Sequence, residues 1–518
     1  MASTASPDEA RASPYAWYVL GVLFLVYVLN FVDRQILSIL AKDIKRDLHL
    51  NDADIGFLFG TAFGVFYSLF GIPLGRLADN WRRVRLITIG LTLWSAMTTL
   101  SGLARGGGQL TMARIGVGVG EATASPCAYS LISDYFPKRQ RATTLAFYSS
   151  GIFIGGGLSL FIGGAIVDNW NAHFPAGHWG LVGWQVAFMA VGLPGVLLAL
   201  LVATLREPIR GAADGVVTPT SATPFRDFAN ELVAIIPPLT LIGAARRGSR
   251  ALVVNLAALA VAALAGTVLA RATGNVPQWV AVSGGAYAVF SWATSLRTRD
   301  PATFALIWGT PAFVQVSIGY GLISFVSYGV AAFGALYGET VLGLPKPEVG
   351  FWLGGGAAAG GFIGIVLGGR IADWARARRA WGRVPVILSG AVLPAPFLVY
   401  AYTTGSEAGF YLASFMMSGL ASAALGPAAA TTQDLVLPRM RGTATATFFI
   451  ATALIGLALG PYFAGFISTA SGGNLRLGVI ATLVASPISA LLLLFAWRSV
   501  PAAEASVIAR ARAAGEAV

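Results

Sequence analysis

The sequence predicts an all-α membrane protein with two six-helix halves and a two-helix insertion between them, about fourteen spans in all. Three observations carry that expectation. Of 518 residues, 56% are hydrophobic and 11% charged, with a mean hydropathy of +0.71, whereas a soluble domain carries roughly 25% charge. Apolar runs recur at about the 20 residues that a helix needs to cross a hydrocarbon core of about 30 Å. Two charged patches also recur, in the same order. Gly75-Arg76-Leu77-Ala78-Asp79, followed by Arg82, Arg83 and Arg85, returns 294 residues later as Gly369-Arg370-Ile371-Ala372-Asp373, followed by Arg376, Arg378 and Arg379. Asp134 through Pro137 to Arg141 returns 300 residues later as Asp434 through Pro438 to Arg441. Charge interruptions in so apolar a chain do not repeat in register by accident, so the architecture is duplicated.

After an N-terminal tail, 1–15, the first half (16–205) reads as spans at 16–41, 54–74, 84–105, 111–133, 142–167 and 183–204. The second half (303–498) reads as spans at 303–338, 349–370, 384–404, 409–433, 442–470 and 476–497, followed by a tail at 499–518. Gly and Pro are frequent inside these runs, which helix packing in lipid tolerates. The first run contains Asn30, Asp33 and Arg34 and lacks a clear small-residue cleavage site, so it is not a signal peptide.

The connection 206–302 contains two uncharged stretches, 251–270 and 277–296, with Arg246, Arg247 and Arg250 before them and Arg297 and Arg299 after. Charge on both outer flanks predicts a membrane hairpin at 251–296 that enters and leaves on one side and stands outside both halves; an interfacial or re-entrant hairpin is the alternative. Segment 231–244, interrupted by Pro237-Pro238, is too short to cross and is expected at the surface.

The net charge of +12 would suggest nucleic acid in a soluble protein. Here Lys and Arg sit in short loops, so the excess reads as topology and no nucleic-acid partner is expected. Placing loops 75–85, 137–141, 376–383 and 438–441 in the cytoplasm puts both termini there. The loops near 168–180 and 405–409, which have no Lys or Arg, then fall outside. Loop 41–54 is the exception, with Lys42, Lys45 and Arg46 among four Asp residues. An Ala/Gly/Arg-rich composition without glycosylation sequons suggests a bacterial inner membrane. Cys127 is the single cysteine, which excludes an intramolecular disulfide. His49, His173 and His178 fall in polar connections and are read as bystanders, so no metal and no cofactor are expected. Without a Walker loop, zinc spacing or catalytic triad, the chain does not read as an enzyme or an ATP-driven pump. Gly116-Val117-Gly118-Val119-Gly120 lies inside a span, where close helix packing explains it better than nucleotide binding.

Charge inside a bilayer faces a bundle interior or a wet cavity. Asp33 and Arg34 on the first span and Arg114 and Glu121 on the fourth are the candidates, and the second half offers none inside its spans. Arg114, Gly118, Glu121 and Ser125 share one helical face. Burial and a neighbouring arginine push a carboxylate in opposite directions, which suits proton coupling at Asp33 and Glu121. The alternative is two structural ion pairs. On the seventh span, Gln315, Tyr320 and Tyr328 are candidates for substrate contact, the tyrosines eight residues apart and so roughly on one face. Asp79 and Asp373 are expected to close short turns in which Gly75 and Gly369 permit close backbone approach. The arginines behind them, Arg83 first, together with Arg141 and Arg441, would reach Asp134 and Asp434 as gating latches.

The repeated Gly-x-x-x-Asp with a basic loop resembles the signature of the major facilitator superfamily over essentially the whole chain outside the insertion. Arg82 and Arg376 stand where that family usually has Gly, and Asn80 where it has a basic residue. Asn30-Phe31-Val32-Asp33-Arg34 with Arg114, Gly120-Glu121-Ala122 and Asp134 resembles the Spinster group, associated with sphingolipid and lysolipid transport. The Asp-Arg pair with a fourth-span Glu is also similar to organic-anion:proton symporters. The resemblance implies that Asp33 and Glu121 exchange protons, that Arg34, with Asn30 and Arg114 nearby, couples them to substrate, and that the halves rock around a central cavity. The implied activity is proton-coupled secondary transport of an amphipathic, lipid-like or anionic substrate by a monomer among membrane lipids. Organic-anion symport, and a non-transporting sensor or scaffold, are the rival readings.

Overall fold

The computed structural model describes residues 12–175, 177–211 and 221–516, and the regular elements among them are helices. The first half contains α1 (Pro14–Leu48), α2 (Asp52–Asn80), α3 (Arg83–Ser101), α4 (Gly107–Glu121), α5 (Ala124–Tyr135), α6 (Lys138–His173) and α7 (Gly183–Ala203). The connection forms α8 (Pro224–Ile235), α9 (Leu239–Arg246), α10 (Ser249–Thr273), α11 (Val276–Arg299) and α12 (Pro301–Ile307). The second half contains α13 (Pro311–Thr340), α14 (Lys346–Arg378), α15 (Arg383–Thr403), α16 (Glu407–Ser422), α17 (Leu425–Asp434), α18 (Pro438–Ala470) and α19 (Leu475–Ala505), and α20 (Val507–Ala513) follows. Among the described residues, 12 helices are long and apolar enough to cross a membrane, α10 included. Helices α8 and α9 bend by 98° around Pro237-Pro238.

Local chemistry sets the boundaries. The Ser13 hydroxyl accepts the Ala16 N–H at 3.1 Å, and Pro14 stands at the first helical position of α1. Asn51 and Asp54 form a reciprocal capping box at the start of α2. The expected fourth span is divided. Pro126 has no N–H for the Ala122 carbonyl, and the Thr123 hydroxyl donates to Gly120 O at 2.8 Å, so the helix breaks just after Glu121. The second half repeats the device between α16 and α17, ahead of Pro427.

Small residues let backbones meet, as helices in lipid require. A Cβ on Gly120 would stand 2.8 Å from Trp94 N, and one on Gly118 2.6 Å from Phe63 O, so this glycine run packs α4 against α3 and α2. Helices α6 and α14 meet in the same way, with a Cβ on Gly157 falling 2.8 Å from Gly354 O.

The halves are joined at the end away from the basic loops, the far end. Ser38 Oγ donates to Ala331 O at 2.7 Å, Thr61 Oγ1 to Ala458 O at 2.6 Å and Ser468 Oγ to Asp52 Oδ2 at 2.7 Å. The Thr61 contact brings together two π-helical turns, Phe57–Thr61 in α2 and Thr452–Leu457 in α18.

Part of the expected C-terminal tail is folded. Val507 and Ala511 of α20 are buried, and Arg439 bridges Asp300, at 2.8 Å, and Glu516. The Arg439 guanidinium holds Asp300 down at about 2, so this clamp is lost only as pH falls through that value. Residues 1–11 of the expected N-terminal tail lie outside the described residues.

Candidate functional site

Four charges that the sequence placed on two spans meet in one buried cluster. Arg34 Nε donates to Glu121 Oε2 at 2.6 Å, and Arg114 Nη1 lies 3.5 Å from Asp33 Oδ1 and 3.4 Å from Asp33 O. Each carboxylate pairs across the helices α1 and α4, and the cluster has two charges of each sign. The Thr98 hydroxyl from α3 donates to Asp33. Phe31, Phe63 and Tyr67 surround the Arg34 guanidinium, their ring centroids 4.9, 4.8 and 4.4 Å from it. Cation–π contact of this kind holds a guanidinium in place without neutralising it.

The cluster is incompletely satisfied. Both amide atoms of Asn30, Arg114 Nε and Nη2, and Glu121 Oε1 have no hydrogen-bond partner among the described residues, although all three side chains are buried. Leaving such groups unpaired costs about 1–3 kcal/mol each.

A cavity of about 280 Å³ lies between the halves, bordered by Phe31 and Gln35 of α1, Phe153 of α6, Tyr328 of α13, Leu353 of α14 and Met417 of α16. Its lining residues are uncharged, with Gln35, Tyr328 and serines as the polar groups. Of the three candidates on the seventh span, Tyr328 lines this cavity. Tyr320 instead stacks on Phe448 at 5.2 Å, and Gln315 Oε1 accepts from Ser499 Oγ at 2.8 Å. Tyr328 thus borders the cavity, whereas Tyr320 packs against α18.

At the basic end, Arg83 is fully buried and paired with Asp134. It also donates to Ser130 Oγ and Glu207 Oε1, both at 2.8 Å, and to Pro208 O at 3.1 Å. In the second half Arg383 pairs with Asp434 and lies 3.7 Å from Asp373. Arg83 and Arg383 are 300 residues apart, the same offset as their aspartates, which is the signal that would have found Arg383. Each pair lies within its own half, so neither joins the two. Gly75, Asp79, Gly369 and Asp373 lie inside α2 and α14, not in turns, and open space surrounds any Cβ built on either glycine. The expected close approach at these glycines is therefore corrected: the helices run on for another turn, and Arg210 covers the end of α2 by donating to Ala78 O at 2.6 Å. Arg141 Nε donates to Phe136 O at 3.1 Å, and Arg441 is exposed beside Met440.

The sequence model of the Major Facilitator Superfamily matches residues 23–454. The chain belongs to that superfamily. An MFS-type efflux pump of Mycolicibacterium smegmatis is 28% identical over 460 residues, covering 88% of this chain and 84% of the relative. A probable L-galactonate transporter of Escherichia coli is 29% identical over 179 residues, 35% of this chain and 37% of that protein. A bacterial homologue of the human lysosomal transporter Spinster, solved in an inward-facing, occupied conformation, has a TM-score of 0.70 and 26% identity, covering 94% of this chain and 98% of that one. The chain is thus a multi-pass membrane transporter of the Major Facilitator Superfamily that resembles the Spinster group.

For a superfamily transporter, the charged contacts between halves that sequence reasoning missed matter most. Lys346 of α14 pairs with Asp43 of α1, lies 3.3 Å from Glu339 and donates to Ile39 O at 3.2 Å. It joins the halves at the far end, where loop 41–54 carried its unexplained mixed charge. Asp43→Asn is expected to favour opening of that end by about 1–3 kcal/mol, as loss of a coupling contact between two global states does. Cross-linking of cysteine pairs introduced across the far end measures it, and an unchanged yield would reduce the pair to a surface contact.

Proposed function

We propose that this chain is a proton-coupled secondary transporter of an amphipathic, lipid-like organic anion, working by alternating access. The observation that carries this reading is the uncharged, mainly apolar lining of the cavity between the halves, set beside an arginine–carboxylate cluster confined to the first half. An apolar tail fits the cavity while Arg34 holds an anionic head. A head that competes for Arg34 frees Glu121, and a carboxylate left without a counter-ion in an apolar interior is neutralised by a proton. Binding of substrate and of proton are thereby linked, and Asp33 with Arg114 forms the second pair of the relay.

With the basic loops in the cytoplasm, both termini are cytoplasmic, the contacts at the far end make this an inward-facing arrangement, and a bacterial inner membrane is the setting. We read 16–205 and 303–498 as the transporting halves. The interrupted α4–α5 pair and α11 then join the 12 long apolar helices as further spans, as the expected fourteen requires.

Arg34→Ala is expected to weaken anionic amphiphiles by at least about tenfold and neutral ones much less, since a charged hydrogen bond contributes about 1.5–3 kcal/mol. Tyr328→Ala is expected to weaken long-chain ligands more than short ones. Thermal-shift titration of the purified protein with lysolipids, sphingoid compounds and sugar acids at two pH values reads both. Affinity independent of chain length, with tight binding of a compact sugar acid, would move the assignment to organic-anion:proton symport.

A further inference from the structure

The hairpin α10–α11 does not stand apart from the transporter. Helix α10 buries Asn255 and Gly266, whereas α11 buries a strip that includes Tyr287, Ala288, Trp292 and Ala293. That strip lies on the seam between α2 of the first half and α18 of the second. A Cβ built on Gly285 would meet both halves at once, 3.2 Å from Val65 Cγ1 and 3.3 Å from Leu454 Cδ2. Trp292 and Ala288 share a buried cluster with Val65 and Leu69 on one side and Ile450 and Ala458 on the other. Toward the far end, the Trp279 ring stands edge-on to Tyr462 at 5.8 Å.

The hairpin is anchored to both halves. Helix α8 ties it to the first half: Arg299 pairs with Glu231 at 3.0 Å, and Phe225 lies against Trp81 of the first half at 5.2 Å. The second half holds it as well: Asp300, at the end of α11, pairs with Arg439 of α18 at 2.8 Å, and Leu306 and Ile307 of α12 are buried in the second half's core, in addition to the strip along α18. Helices α2 and α18 touch backbone to backbone at the far end, where a Cβ on Gly56 would meet Pro461 and Tyr462. Opening that end moves α18 away from α2, and a rigid helix packed on both of them cannot keep both contacts.

We propose that α11 is a brace across the α2–α18 seam that favours the conformation closed at the far end, so that the insertion sets the balance between the two transport states. A contact made in one state and lost in the other shifts their ratio by its whole differential free energy.

The test uses full-length protein in nanodiscs with spin labels at Ala172→Cys and Ala470→Cys, exposed positions at the far end of opposite halves. Gly285→Leu, Trp279→Ala and replacement of 249–299 by a flexible linker are each compared with the parent. The expected result is a rise of about fivefold or more in the population with the labels far apart. Should the linker variant fail to fold, the two point variants decide. Unchanged distance distributions in both folded point variants would overturn the proposal. The readout involves neither substrate nor protons, so its failure is distinct from failure of the transport reading.

Discussion

Glu121→Gln is expected to abolish proton-driven accumulation while leaving a folded protein in the membrane. Glutamine keeps the shape of the side chain and an acceptor for Arg34 Nε, now 2.6 Å from the carboxylate, but it cannot exchange a proton. Asp33→Asn is expected to do the same, because asparagine still meets Thr98 and Arg114. Counterflow exchange of substrate survives in both, since alternating access needs no net protonation change when cargo returns with cargo. Uptake into proteoliposomes, with and without an imposed pH gradient, separates the two activities. Full gradient-driven uptake by either variant would reduce the cluster to a structural ion-pair network.

The largest stability effect is expected from Arg83→Ala. Arg83 is fully buried and satisfies Asp134, Glu207, Ser130 Oγ and Pro208 O together, so its removal strands carboxylates at the meeting point of α3, α5 and the chain after α7. Breaking a buried pair from one side costs about 3–5 kcal/mol. Arg383→Ala, its counterpart at the same repeat offset, is expected to cost less. Arg383 is 19% exposed and Asp434 34% exposed, so water replaces part of the lost contact. Thermal unfolding of the two variants in one detergent gives the comparison, and equal losses would mean that burial does not set the difference.

The repeat made much of this legible. Charged patches that return after 294 and 300 residues pointed to a duplicated architecture, and the scarcity of charge inside spans singled out Asp33, Arg34, Arg114 and Glu121, which do meet. Periodicity along one helix was a weaker guide. It placed Tyr320 and Tyr328 roughly on one face but did not tell that the first packs against Phe448 and the second borders the cavity. It also read the fourth span as continuous, because an apolar run records length but not the carbonyl that Pro126 leaves without its donor.

By itself the sequence determined the class, the duplication, the superfamily resemblance and the short roster of intramembrane charges, since lipid permits so few exceptions to apolar helix that each one is conspicuous. Only the tertiary structure decided which charge faces which, Arg34 with Glu121 and Arg114 with Asp33. It likewise placed the contact between halves at Lys346 and Asp43 and brought α11 across a seam that belongs to neither half. Those outcomes depend on the rotation and depth of whole helices against one another. Such relations are set by close packing among residues hundreds of positions apart, and no local pattern in the chain encodes them.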